Sequence, residues 1–117
     1  MEQSLKNELI KAQKLIQGIV NYTEPYNPTE LFNACNKLQA FQIYFLAPKI
    51  ELEQNYRELI GQLEQGGQSH ASAESYAKTS PEYKDYRFID GVFKAIEEKV
   101  KLIKKFSTLL NEEPRNY

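Results

Sequence analysis

The chain has 117 residues, a formal net charge of −1 and a single cysteine, with 41% hydrophobic and 26% charged residues. That is enough chain to bury a core within one domain, and too apolar a composition for a disordered segment. The near-zero charge excludes a global pull toward nucleic acid or an anionic membrane, the lone Cys35 excludes an internal disulfide, and no run approaches the roughly 18 apolar residues of a membrane span.

The opening MEQSLKNELIKAQ is charged and amphipathic, without the apolar centre of a signal peptide, so a cytoplasmic location is expected, in a host if the gene is phage-borne. Ser4 can cap a first helix over about 4–21, with Leu5, Leu9, Ala12, Leu15, Ile16 and Ile19 returning at three- and four-residue steps. NYTEPYNP, with two prolines and two asparagines, ends it.

A second helix is expected over 28–65. Asn27 can cap it, Pro28 suits the first helical position, and Glu30 stands three residues on from the cap. Its seam steps alternately by four and three through Leu31, Cys35, Leu38, Gln42, Phe45, Lys49, Leu52, Tyr56, Leu59 and Leu63; eight of these ten are apolar or semi-apolar, the mark of coiled-coil packing. Pro48 removes one backbone donor and crowds the Tyr44 carbonyl, which predicts a kink, with a break into two helices as the alternative. Gly66 and Gly67 then stop the helix.

The stretch SHASAESYAKT reads as a short helix over 70–78 capped by Ser69 or Ser72, and Ser80-Pro81-Glu82 repeats the start signal for a last helix over about 81–111. There Ile89, Phe93, Ile96, Val100, Ile103, Ser107 and Leu110 keep the four–three alternation, while Phe88, Val92, Leu102, Phe106 and Leu109 widen the stripe. NEEPRNY is a polar tail.

The expected fold is therefore all-α, a three- to four-helix bundle in one domain, built on a long antiparallel helical hairpin. Setting the end of one long helix level with the start of the other pairs residues whose numbers sum to about 147. Glu51 and Glu53 would then lie near Lys94 and Lys99, and Gln42 near Lys105. The first helix would cover one end as a third member of the bundle. At the other end the small 70–78 helix is thin cladding for much apolar surface, so Tyr56, Ile60, Tyr76, Tyr83, Tyr86 and Phe88 are the expected partner-binding residues, with self-association or another protein covering them.

Catalytic signals are weak. His70 is the only histidine and has Glu74 four residues on, a poor ligand set, so no metal and no cofactor are expected. A triad would need that histidine to meet Asp85, Asp90 or Cys35, and GGQS lacks the Lys-Ser/Thr ending of a phosphate loop. The chain reads as a non-enzyme. Nucleic acid is the alternative partner: Lys94, Lys101, Lys104 and Lys105 make the last helix locally basic, and eight tyrosines offer stacking faces.

The stretch AESYAKTSPEYKDYRFIDGVFKAIEEKVKLIKKFSTLL, with YFLAPKIELEQNYRELI before it, resembles small uncharacterised helical proteins of bacteriophage and prophage early regions. The likeness covers roughly residues 40 to 110 and rests on an Ala-containing short helix, a start of the form Ser80, Glu82, Tyr83, Lys84, and a long final helix; Pro48 and Pro81 depart from the pattern. It implies a coiled-coil hairpin that works through protein contacts, as a modulator of a host or defence protein, or else a recombination accessory that binds single-stranded DNA. It supplies no catalytic residue.

Overall fold

Four α-helices account for nearly all the described residues: α1 (Gln3–Val20), α2 (Pro28–Gln65), α3 (His70–Ala77) and α4 (Pro81–Glu112). The structure, a computed structural model, describes residues 1–20 and 27–112, and the side chains of 1–19 and 27–105. The expected 22–27 connection up to residue 26, the tail from 113, and the seam and stripe positions Phe106, Ser107, Leu109 and Leu110 fall outside those described side chains. The fold is all-α, and no described helix is long and apolar enough to cross a membrane.

The helix boundaries follow the local chemistry. α1 starts a residue earlier than expected: Lys6 N–H donates to Glu2 O at 3.0 Å, so Ser4 lies inside the first turn and is not its cap. At α2, Asn27 Oδ1 accepts from Thr29 N–H at 2.8 Å and Glu30 N–H at 3.4 Å, occupying donors that have no partner within the helix. Pro48 sits inside α2 without breaking it. The C-terminus is a Schellman motif, with Gln68 N–H on Leu63 O, Gly67 N–H on Glu64 O, and Gly67 at a φ of +100°.

α3 is capped by Ser69, whose Oγ accepts from Ser72 N–H at 3.2 Å. Ser80 closes one helix and opens the next. Its hydroxyl donates to Ala77 O at 2.5 Å and accepts from Tyr83 N–H at 3.2 Å. Both ends of the 66–80 connection are thus fixed by hydrogen bonds, and the segment is structure throughout.

The helices gather into two compact units. The first holds α1, α2 up to Ile43 and α4 from Val92 on; the second is Tyr44–Gly91. In the first unit the three helices share a core of Leu5, Leu9 and Ala12 from α1, Leu31, Cys35 and Leu38 from α2, and Ile96, Val100 and Ile103 from α4. This is the three-helix arrangement that the apolar spacing implied. Fully burying a Leu or Ile side chain stabilises by about 1.5–3 kcal/mol, and Leu9, Leu38 and Ile96 are wholly inaccessible. Cys35 is a buried free thiol, packed as a small apolar side chain.

The second unit is an antiparallel hairpin of α2 and α4 with α3 at its tip. Direction and register come from three contacts: Lys49 with Asp90, Tyr56 with Tyr83, and Tyr56 with Tyr86. Facing residue numbers sum to 139 in the first two contacts and 142 in the third, so the register expected near 147 is corrected by about two helical turns. The two helices do not end level. α2 overshoots the start of α4 by roughly seven residues, about 10 Å of helix, and α3 takes up that overshoot.

α3 runs back alongside the end of α2, from His70 beside Glu64 to Lys78 within electrostatic reach of Tyr56. Ala73 and Ala77, a turn apart, are fully buried. Small side chains here let α3 lie close to the hairpin. Glu53 forms an ion pair with Arg57 on its own helix at 2.9 Å.

Candidate protein-contact face

Three of the residues expected to bind a partner form one cluster within the second unit. Tyr56 is buried, with Tyr86 stacked at 5.9 Å and 13° between ring planes, and Tyr83 tilted at 5.0 Å and 46°. Ile60, Tyr83, Tyr86 and Phe88 are half-buried, and only Tyr76, at 60% exposure, stands out in solvent. The hairpin tip that looked thinly clad is therefore closed largely by its own tyrosines and by α3. A pair of offset rings adds about 0.5–1.5 kcal/mol beyond its buried area. This cluster holds the hairpin together.

Exposed apolar surface lies elsewhere, on the middle of α2. Tyr44, Leu46 and Ile50 are 52%, 49% and 47% exposed, and Ala47 is open beside them. Leu46, Ala47 and Ile50 share one helix face by their three- and four-residue spacing, and Ile43, at 78% exposure, continues the same line along the helix. Farther toward the N-terminus, Phe32 is 64% exposed. Between Asn36 and Ile50 this line, which also passes Gln39 and Ala40, carries no charged side chain. The Glu53–Arg57 ion pair bounds it.

The spacing that identified the buried seam of α2 conceals this face. Every one of the ten seam positions from Leu31 to Leu63 is buried or half-buried. Yet QIYFLAPKI places apolar side chains on more sides of the helix than one seam can bury, and that surplus was the available signal.

The basic positions are split by burial. Lys94, Lys101, Lys104 and Lys105 are exposed along α4, and Lys99 is half-buried. Glu97 and Glu98 stand among them, so the surface is mixed rather than uniformly positive. Leu102, 45% exposed, breaks it further.

His70 sits between two carboxylates. Nδ1 is 2.5 Å from Glu64 Oε1 and Nε2 is 3.3 Å from Glu74 Oε2. Hydrogen bonding to Glu64, with the charge of the same carboxylate, raises the imidazole pKa, and Glu74 adds to it. The two carboxylates lie on opposite nitrogens and do not converge on one point, and no group of three or more potential metal ligands occurs among the described residues.

A groove of about 240 Å³ opens in the first unit between Lys14, Leu15, Gly18 and Ile19 of α1 and Glu30, Leu31 and Ala34 of α2. Gly18 and Ala34 leave the gap because neither carries a side chain long enough to fill it. Its lining is mainly apolar, with one cation and one carboxylate. No family model matches the chain, and no curated protein or solved structure matches it.

Proposed function

We propose that this chain is a non-enzymatic protein-interaction module that self-associates through the outward face of α2. The observation that carries the reading is the uncharged line of Ile43, Leu46, Ala47 and Ile50, solvent-exposed on a helix whose opposite face is buried. Apolar side chains exposed in a contiguous line mark contact surfaces more often than they mark idle ones.

A second copy is the occupant that fits. In an antiparallel contact, Leu46 and Ala47 lie near the two-fold axis, and Ile43 of one copy meets Ile50 of the other. Ala47 allows the helices to approach closely. The same arrangement keeps each Glu53–Arg57 pair away from its counterpart, whereas a parallel contact would set Glu53 against Glu53 and Arg57 against Arg57. Such an assembly would present two copies of α4 and of the α3 tip to a further protein. In the setting that the phage resemblance suggests, that protein is one of the host or its defences.

The test is sedimentation equilibrium of the wild-type chain and of Leu46→Glu/Ile50→Glu. A dimer that dissociates in the variant while its helical circular dichroism is unchanged supports the reading. A wild-type chain that stays monomeric at high micromolar concentration overturns self-association, and a dimer untouched by the substitutions overturns the assignment of the face.

A second reading, a recombination accessory that binds single-stranded DNA, is favoured by the exposure of Lys94, Lys101, Lys104 and Lys105 on α4. Its test is fluorescence anisotropy with a short oligonucleotide. Affinity contributed by phosphate contacts falls steeply with salt, and an oligonucleotide that shows no binding at low salt ends this alternative.

A further inference from the structure

α3 is held at its two ends by different chemistry. At its C-terminal end Ser80 is buried and bonded on both sides, to Ala77 O and from Tyr83 N–H. At its N-terminal end the tie to α2 is exposed, His70 Nδ1 against Glu64 Oε1. Between the two ends, Ala73 and Ala77 are fully buried. Gly67, with its positive φ, lies in the turn that precedes the helix.

We infer that the α2–α3 corner is a proton-operated clasp, in which doubly protonated His70 bridges Glu64 of α2 and Glu74 of α3 and keeps α3 against the hairpin. An ionised carboxylate only accepts hydrogen bonds, so satisfying both contacts requires an N–H on each ring nitrogen. That is the imidazolium. Of the two contacts only that with Glu64 crosses from α3 to α2, Glu74 lying on α3 itself. Loss of one proton leaves Glu74 facing a lone pair when the remaining N–H stays on Nδ1, and weakens the Glu64 contact by removing the charge that attracts it.

The charged groups that set this balance are Glu64 from α2, Glu74 from α3 itself, and Lys78, which shares Glu74 from the far side at 3.3 Å. Lys78 cannot replace the tie, because it is bound to a carboxylate of its own helix. The hydrogen bond and charge of Glu64, with Glu74 adding to them, raise the His70 pKa from its ordinary value. A pKa raised by docking means that docking favours the protonated ring, so the stabilisation is complete below the ordinary value of 6.5 and is lost as pH climbs through the raised value. The release is local. α4 and the tyrosine cluster keep their contacts while the N-terminal end of α3 lifts.

The full chain serves for the test, because its one histidine gives a single imidazole signal by NMR. The titration midpoint is expected above 6.5, lowered by Glu64→Gln and less so by Glu74→Gln. Amide exchange at Ala73, corrected for the intrinsic pH dependence, should lose about threefold protection as His70 deprotonates, the scale of one exposed charged contact, while Ala77 at the held end stays protected. His70→Lys, which retains a cation, should hold that protection flat across the same range, and His70→Gln should hold it flat at the lower level. A midpoint at or below the ordinary value, protection that ignores the titration, or a His70→Lys chain as unprotected as His70→Gln would each overturn the clasp.

Discussion

Tyr56 of α2 lies nearly parallel to Tyr86 of α4, ring planes 13° apart and centroids separated by 5.9 Å, and this contact fixes where the two helices meet. Tyr83, one turn earlier on α4, closes on the same ring at 5.0 Å. Removing Tyr56 therefore deletes both contacts. Tyr56→Ala is expected to destabilise the chain by about 3 kcal/mol, in the range for large aromatic truncations, and Tyr56→Phe by less than about 1 kcal/mol because the rings still stack. Urea unfolding followed by circular dichroism measures both.

Asp90 is nearly buried, and its Oδ1 lies 3.7 Å from Nζ of Lys49, whose side chain is 21% exposed. Asp90→Ala should cost about 1–3 kcal/mol, less than the 3–5 typical of a fully buried pair because Lys49 can turn toward water. Lys49→Met/Asp90→Leu should lose less than the sum of the two single changes, since no charge is left stranded. A double-mutant cycle in denaturant gives the coupling directly. Additive single effects would mean that the pair contributes nothing to the hairpin.

Gly67 and Ser80 hold the connection between the long helices. Gly67→Ala places a side chain at a φ of +100° and should cost about 1–2 kcal/mol. Ser80→Ala removes the acceptor for Tyr83 N–H and the donor to Ala77 O, and should cost about 1 kcal/mol, with up to 2 within reach of a cap. Thermal unfolding should show both as lower midpoints with the same helical content before the transition.

The outward face of α2 predicts an opposite pattern. Single changes such as Leu46→Ser or Ile50→Ser delete little buried area within one chain, so the stability of the monomer should move by no more than about 0.5 kcal/mol. If the face pairs two copies, the same changes should lower the unfolding midpoint of the wild-type assembly in a way that depends on protein concentration. Thermal scans over a hundredfold dilution separate the two effects.

Much of the helical architecture was legible in the residues because helix formation and one-sided burial are local. Capping pairs such as Asn27 with Thr29, and Ser80 with Tyr83, act within a few residues, and the chain spells them out. The alternation from Leu31 to Leu63 marks which side of α2 is buried without reference to what covers it. Register was not legible. An apolar seam fits its partner almost equally well after a slide of one heptad, and the choice fell to the Tyr56–Tyr86 stack and the Lys49–Asp90 pair, which depend on side chains far apart in sequence.

The candidate site divides in the same way. Tyr56, Tyr83 and Tyr86 could be seen as an aromatic group, but exposure depends on neighbours, and the same tyrosines serve an interface or a core according to how far α2 overshoots α4. Once the register places α3 over that end, they pack against one another, and among the described residues Ile43, Tyr44, Leu46 and Ile50 of α2, near Pro48, form the largest group of exposed apolar side chains. His70 was legible as a lone histidine with Glu74 a turn away. Glu64, on the other side of the glycine turn, joins it only in the folded corner.

By itself the order of residues determined four helices, the caps of α2 and α4 and the buried sides of α1, α2 and α4, since those follow from backbone hydrogen bonds and from the apolar surface that one helix must hide. Tertiary structure alone decided the offset of α2 against α4, the closure of the tyrosine tip and the emergence of the α2 face, because each depends on which distant side chains compete for the same space.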